Sequence, residues 1–254
     1  MNLCHCFGKK HLGLAKKKSP PKFRGMELPA ELPIMTLPNA TLFPQAMLPV
    51  FIFEPRYRQM LAEVLVGSRM FAVAMRKPGA RRDVPSAVAG VGLVRAAVRN
   101  KDGTSNLILQ GLTRVALEPR ARALKPYRVH RIRPLLAETA TGTAVENLMA
   151  QVGALVQVRL ENGVKLAGPL IQNLPGGPTD KRVKELALES MKEFARHLSR
   201  IKDPGMFADM AACALLPNPR ERQTILESVE VLERLQKLAL LLAVPDAADD
   251  DCPF

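Results

Sequence analysis

The pattern of apolar and polar positions over residues 37–61 predicts two short strands followed by a helix. The first part consists of short apolar runs that are interrupted by Pro38, Pro44 and Pro49. Because proline lacks the N–H that a central strand donates, such runs are typical of strands at a sheet edge or a barrel rim. From Pro55 the period changes to that of a helix, and proline suits the first helical position. The apolar face of this helix consists of Tyr57, Met60, Leu61, Val64 and Leu65.

Short apolar segments bounded by turn residues continue beyond this helix. They predict strands over 69–76, 90–99, 106–110, 114–117 and 127–134. The sequence Asn100-Lys101-Asp102-Gly103 lies between two of them and predicts a hairpin turn, since Asp-Gly favours tight turns. At least six short strands within about 100 residues indicate a small β-barrel subdomain, which we place at 32–136.

Helical spacing of apolar residues dominates the later part of the chain. Asp203 and Asn218 each precede a proline, which predicts an N-cap followed by the first helical residue. Ser228 is predicted to cap the last helix in the same way. We expect a second subdomain over 140–243, a bundle of about five helices. Strands followed by helices indicate the α+β class.

The charge of the chain is uneven. The 254 residues include 37 Lys and Arg and 24 Asp and Glu, a net charge of +13. Residues 1–25 hold seven of the basic residues and no acidic one, so the rest has 30 basic and 24 acidic residues, or +6. We expect a disordered basic leader over 1–26 and an acidic tail over 244–254. The remaining excess is too small to imply nucleic-acid binding by itself.

Cysteine and histidine usage gives no metal or disulfide framework. Four scattered cysteines are too few to form a stabilising disulfide framework in a chain of this length. Cys4-His5-Cys6 with His11 resembles half of a metal site, but zinc requires four ligands, so a disordered leader is the preferred interpretation. A start at Met26 is a further interpretation. We expect no metal and no cofactor. Without a transmembrane run or a signal peptide, the expected location is cytoplasmic.

The segment LPNATLFPQAMLPVFIFEPRYRQML, which begins at Leu37, resembles the opening of the Lon protease N-terminal domain family. Further similarity lies in QGLTR at 110–114, in DPG at 203–205 and in QTILE at 223–227. The resemblance extends from about Leu32 to Ala243, and it is greatest to bacterial proteins that consist of this domain alone.

The resemblance implies a PUA-like six-stranded β-barrel followed by a helical bundle. It also implies a module that binds unfolded or degron-bearing polypeptide and modulates proteolysis through a protease partner. The chain contains no G-x-x-x-x-G-K-[ST] phosphate loop, so we expect a stand-alone, non-catalytic protein without ATPase or protease domains.

No group of residues has the spacing of a catalytic or metal site, so no catalytic residue and no metal ligand are predicted. The candidate residues for polypeptide binding are Leu42, Phe43, Phe51, Phe53, Glu54 and Arg56. At least half of the four apolar ones are expected in the core, and Glu54 with Arg56 is alternatively a helix cap beside a surface ion pair. No membrane partner is expected.

The alternative is an RNA-binding PUA-like protein, because one predicted strand is rich in basic residues. Its candidate residues are Arg122, Lys125, Arg128, Arg131 and Arg133. Tyr127 is the one aromatic residue in this basic segment, so base stacking has little support. Salt distinguishes the alternatives, since phosphate contacts weaken steeply as salt rises and hydrophobic contacts do not.

Overall fold

The computed structural model describes residues 22–23, 26–80, 83–120, 125–136, 140–161 and 181–244. Most of the leader, nearly all of the acidic tail and Arg122 lie outside these residues. The strands are β1 (Lys22–Phe23), β2 (Met26–Glu27), β3 (Glu31–Leu37), β4 (Met47–Ile52), β5 (Met70–Met75), β6 (Val88–Arg99), β7 (Ser105–Arg120) and β8 (Arg128–Pro134). The helices are α1 (Pro55–Val66), α2 (Thr143–Glu161), α3 (Lys181–Leu198), α4 (Pro204–Leu215), α5 (Pro219–Glu227) and α6 (Val231–Ala243).

Six strands form one sheet in the order β4-β7-β6-β5-β3-β8, and β8 also pairs with β7. The pairing therefore returns to its start, through β7, β6, β5, β3 and β8. β3 and β5 are parallel, whereas the other pairs are antiparallel. β4 lies beside the first half of β7, and β8 lies beside its second half. The α+β class, with strands first and helices after, is confirmed.

Two strand predictions are wrong in detail. The segments 106–110 and 114–117 belong to one 16-residue strand, β7, rather than to two strands. The first apolar run, between Pro38 and Pro44, forms no strand and is the connection from β3 to β4. The strand β3, which precedes it, is interior, with β5 and β8 on its two sides. Pro33 is tolerated there because the pairing with β5 begins only at Ile34. The edge position is confirmed for β4, which contains Pro49 and pairs with β7 alone among the described strands.

The apolar residues form separate clusters in the sheet and in the bundle. The buried face of α1 packs on one side of the sheet, against Phe71 and Leu109 among others. A second cluster fills the other side of the sheet, around Ile34 and Val115. The third cluster lies within the helical bundle. The connection from β3 to β4 joins them, because Leu42 belongs to the α1 cluster and Phe43 belongs to the bundle cluster.

Glycines in the sheet allow this connection to approach the strands. A Cβ added to Gly90 would lie 1.9 Å from the Leu42 carbonyl oxygen. A Cβ added to Gly111 would lie 1.9 Å from the Phe43 carbonyl oxygen. Both distances are far inside van der Waals contact, so these positions require glycine. Glycine lowers the stability of a strand, and it is found at these two positions because another part of the backbone approaches closely.

A buried ion-pair network joins the sheet to the bundle. The Asp209 carboxylate in α4 accepts from the Arg114 guanidinium in β7 at 2.6 Å and from that of Arg234 in α6 at 3.1 Å. All three side chains are at most 5% exposed. Arg114 also donates to the Leu226 carbonyl at 3.1 Å, and Arg234 donates to the Ser228 carbonyl at 2.9 Å. Buried charges are tolerated here because each has a charged partner and further hydrogen bonds.

The helix caps agree with the sequence in two cases out of three. Asp203 and Asn218 each accept a hydrogen bond from a backbone N–H in the first turn of their helix, as predicted. Ser228 does not cap the last helix. Its hydroxyl donates to the Thr224 carbonyl at 3.0 Å, so it ends α5, and α6 begins three residues later at Val231.

Candidate binding face

The outer side of β4 presents apolar side chains to solvent. Side chains alternate along a strand, so Val50 and Ile52 point into the core while Met47, Pro49 and Phe51 point outward. Phe53, which directly follows β4, continues the outward row. Phe51 is 51% exposed and Phe53 is 60% exposed, large fractions for aromatic residues.

The neighbouring strands extend this surface. Phe51 lies opposite Asn106 of β7, which in turn lies opposite Val98 of β6. Pro49 of β4 lies opposite Ile108 of β7. Val98 and Ile108 are both exposed. We call the group Met47, Pro49, Phe51, Phe53, Val98 and Ile108 the apolar face.

The aromatic rings at the end of the apolar face are in contact. The ring centroids of Phe51 and Phe53 are 5.9 Å apart, with an angle of 27° between the planes. This offset stacking holds the two rings together in the absence of a ligand. The edge of β4 away from β7 pairs with no described strand, so its main-chain groups are available to an added strand. Pro49 removes one N–H from that edge or from the ladder with β7.

Two of the predicted binding residues are excluded from this surface. Leu42 and Phe43 are completely buried, in the α1 cluster and the bundle cluster respectively. A polypeptide cannot reach either side chain in this conformation, which agrees with the expectation that at least half of the four apolar candidates lie in the core. They are core residues because the connection that carries them runs across the glycines of β6 and β7.

The remaining predicted pair, Glu54 and Arg56, lies where β4 leads into α1. Glu54 is the N-cap of α1, but its side chain makes no capping hydrogen bond. It accepts instead from the Arg56 guanidinium at 2.8 Å, and Arg56 also pairs with Asp83 at 2.7 Å. Partial burial opposes the charge of Arg56, but Tyr57 and these two carboxylates outweigh it and raise the Arg56 pKa. The surface ion-pair interpretation is therefore the one that matches the geometry.

Tyr57 anchors this corner to the sheet. Its hydroxyl accepts from the Thr36 N–H at 3.1 Å and lies 3.3 Å from the Thr36 carbonyl oxygen, to which it donates. The Arg56 guanidinium stacks over its ring at 4.5 Å from the centroid. Burial raises the Tyr57 pKa above its usual value, so the phenol stays protonated at neutral pH. The start of α1 is thus held against β3.

The basic strand of the RNA alternative is largely paired with acidic residues. Lys125 pairs with Glu63 of α1 and also donates to the Tyr127 hydroxyl at 2.9 Å. The hydrogen bonds from Lys125 and Tyr127 lower the Glu63 pKa to about 2.

Two further basic residues of this strand have acidic partners as well. Arg131 pairs with Glu31 at 3.3 Å, and Arg133 lies 4.0 Å from Glu118. Arg128 is half-buried, and Arg122 lies outside the described residues. The positive charge available on this strand is therefore smaller than the sequence suggests.

The structure adds contact candidates that the sequence did not indicate. Met47, Val98 and Ile108 were not predicted, because apolar residues in a strand are expected to face the core. The pairing register is what places them beside Phe51. The one sequence signal for them is that β6 and β7 carry apolar residues at consecutive positions, on both faces of the strand.

His130, His197 and Cys213 are in ordinary structural surroundings. His130 Nδ1 lies 2.8 Å from the Glu118 carbonyl oxygen, and His197 is exposed on α3. Cys213 packs against the bundle cluster, and burial raises its thiol pKa, which makes it a poor nucleophile. Within the described ranges, no three His, Cys, Asp or Glu side chains converge as metal ligands would. Among the helices of those ranges, none has the length and apolarity needed to cross a bilayer.

Solved structures of Lon N-terminal domains share this fold. The N-terminal domain of Mycobacterium avium complex Lon protease aligns with a TM-score of 0.62 and 17% identity, over 86% of this chain and all of that one. A Lon N-terminal domain protein from Xanthomonas campestris aligns with a TM-score of 0.55 and 18% identity, over 83% of this chain and 97% of that one.

Sequence relatives lead to the same group of proteins. The Lon protease of Dictyoglomus thermophilum is 26% identical over 219 residues, and that of Roseiflexus castenholzii is 28% identical over 225 residues. Each alignment covers 85% of this chain but 24% of the relative, so the chain spans about a quarter of the length of these relatives. The profile of the ATP-dependent protease La (LON) substrate-binding domain matches residues 31–244. Because that match takes in most of the sequence, this chain belongs to the LON substrate-binding domain family.

Proposed function

We propose that this protein is a non-catalytic recognition module that binds unfolded or degron-bearing polypeptide through the apolar face. The observation that carries the proposal is the pair Phe51 and Phe53, two contacting aromatic rings that are more than half exposed on a sheet edge. Exposed, contiguous apolar surface of this kind marks interaction sites. Membership of a substrate-binding family supports the same class of ligand.

The apolar face suits an extended chain for two reasons. An unfolded polypeptide exposes apolar side chains that can be buried against Met47, Phe51 and Ile108. Its backbone can also pair with the free edge of β4, as in other cases of strand addition. Pro49 removes one backbone N–H from β4, so side-chain burial is expected to be the main source of affinity.

The affinity expected from the aromatic pair can be estimated from its exposure. Full burial of a phenylalanine side chain contributes roughly 1.5–3 kcal/mol, and each ring is about half exposed. Covering both rings therefore contributes about 2 kcal/mol, which corresponds to about 30-fold in the dissociation constant. Removing both rings should weaken client binding at least tenfold.

The test compares two double variants of the full chain. Phe51→Ser with Phe53→Ser removes the aromatic pair, and Val66→Ser with Leu240→Ser removes two apolar side chains on helices that are even more exposed. Binding of a fluorescent, reduced and carboxymethylated protein is measured by anisotropy, with its native form as the negative control. We expect at least tenfold weaker binding for the first variant only. Equal loss in both variants, or equal binding of the native form, would refute the proposal.

Salt and nuclease separate this function from RNA binding. Client binding through apolar contacts should persist between 50 and 200 mM salt and after nuclease treatment, whereas binding carried by phosphate contacts should collapse. A salt-sensitive interaction with RNA that is lost when Arg128, Arg131 and Arg133 are changed to Gln would favour the alternative instead.

The proposed role in proteolysis has its own measurement. If this protein holds the clients of a protease partner, adding it to a Lon protease should change the degradation rate of the unfolded client. The Phe51→Ser, Phe53→Ser variant should leave that rate unchanged. An equal effect of both proteins would show that the change does not pass through the apolar face.

A further inference from the structure

A cleft of about 560 Å³ lies where the turn after β5 meets the start of α5. The turn over 77–80 and Asn39 form its sheet side, while Asn218, Pro219 and Arg220 form its bundle side. The cleft therefore lies on the junction of the two parts of the fold. None of its lining residues belongs to the apolar face.

Hydrogen bonds fix both walls of this cleft. The Ala80 N–H donates to the Lys77 carbonyl at 3.2 Å, and Gly79 adopts the positive φ of 73° that this turn requires. The Arg222 guanidinium ties the walls together, since it donates to the Asn39 carbonyl at 3.2 Å and to the Leu216 carbonyl at 2.6 Å. The cleft is consequently formed before any ligand binds.

The side chains that line the cleft are unbalanced in charge. Three of the described lining residues are cationic, namely Arg76, Lys77 and Arg220, and none is an aspartate or glutamate. All three are exposed, and none forms an ion pair with a described carboxylate. Lys125 and the β8 residues Arg131 and Arg133, by contrast, have acidic partners. Cations that line a concave site attract anions and raise their local concentration.

We propose that this cleft binds a small anion that carries two or more phosphate groups. Arginine forms paired hydrogen bonds with phosphate oxygens and lysine adds a compact positive charge, so the three side chains suit several phosphates rather than one. The start of α5 at the same place adds a positive field, which Glu221 in the first turn reduces. No aromatic ring lines the cleft among the described residues, so a nucleoside gains no stacking there. The phosphates, rather than a base, are expected to determine affinity.

The experiment titrates the ¹⁵N-labelled full chain with sodium tripolyphosphate, pyrophosphate, monophosphate and ATP, at 50 mM salt. We expect saturable shifts of the Asn39, Gly79 and Arg220 amides with one tripolyphosphate per chain. Pyrophosphate should bind more weakly than tripolyphosphate, and monophosphate more weakly still. ATP should bind no more tightly than tripolyphosphate. Selective binding of ATP at these amides would overturn the phosphate assignment.

A matched variant separates this site from general attraction to a basic protein. Changing Arg76, Lys77 and Arg220 to Gln should weaken tripolyphosphate binding at least tenfold. Changing Arg95, Arg99 and Lys101 to Gln removes the same charge elsewhere and should weaken it less than threefold. Both variants keep the Lys-rich leader, so its contribution is equal. Equal weakening, or shifts that do not saturate, would overturn the proposal. The apolar face is untouched in both variants, so failure here leaves the client-binding proposal standing.

Discussion

Replacing Asp209 should destabilise the whole fold, because this one carboxylate compensates two buried guanidiniums. Arg114 comes from the sheet and Arg234 comes from the last helix, and both side chains are at most 5% exposed. Asp209→Ala leaves both cations buried without a counter-ion. Their hydrogen bonds to backbone carbonyls remain, so the loss is chiefly one of charge compensation.

The size of the effect follows from the burial of the network. Breaking a buried ion pair by removing one partner typically costs about 3–5 kcal/mol. Here two pairs are broken at once, but the guanidiniums keep carbonyl acceptors, so we expect a loss of about 4 kcal/mol. Domains of this kind are stable by about 5–15 kcal/mol in total. Asp209→Asn can keep an amide oxygen on both guanidiniums, which contact the same carboxylate oxygen, so it removes the charge alone and should lose less than Asp209→Ala.

Urea unfolding followed by circular dichroism measures this difference. With a slope of about 2 kcal/mol per molar urea, a loss of 4 kcal/mol lowers the midpoint by about 2 M. The control is Glu233→Gln, which breaks the exposed pair between Glu233 and Lys237 on α6. It should change stability by less than about 0.5 kcal/mol. A loss below about 1 kcal/mol for Asp209→Ala would show that the network does not hold the two parts together.

Two further predictions concern pH and close packing. Because Lys125 and Tyr127 depress the Glu63 pKa from 4.5 to about 2, the stability that Glu63 contributes is complete above pH 4.5 and is lost as the pH falls through 2. Carboxyl NMR should give a Glu63 midpoint near pH 2, and a midpoint above 4 would contradict the geometry. Gly111→Ala should destabilise by about 3 kcal/mol or more, since its Cβ meets a carbonyl oxygen at 1.9 Å. Gly153→Ala in α2, where a Cβ meets nothing within 4 Å, should instead stabilise by about 0.5–1 kcal/mol in the same melt.

Features that depend on local sequence were predictable. The helix α1 follows from its proline start and its 3.6-residue period, and four of the five predicted face residues are buried. The N-caps at Asp203 and Asn218 depend on a side chain and the next few residues, so they were equally visible. The strand β5 needed no distant information, because all six of its residues are apolar and buried.

Features that depend on distant contacts were not predictable. Gly111 suggested a break between two strands, but it is a point within β7 where the backbone of Phe43 comes close. The sequence MLPVFIF from Met47 to Phe53 is apolar at every position, so the alternation that would show which side faces solvent is absent. Likewise, nothing near Arg114 in the sequence reveals that its partner lies at Asp209.

The spacing of the ion-pair network also sets an order of events during synthesis. Arg114 is 95 residues before Asp209, which is 25 residues before Arg234. At about 5–20 residues per second, a ribosome adds Asp209 about 5–20 s after Arg114. During that interval Arg114 has no carboxylate partner, and Phe43 is not yet covered by the helical bundle. Growing chains therefore remain exposed to proteases and to aggregation until the last helix has emerged.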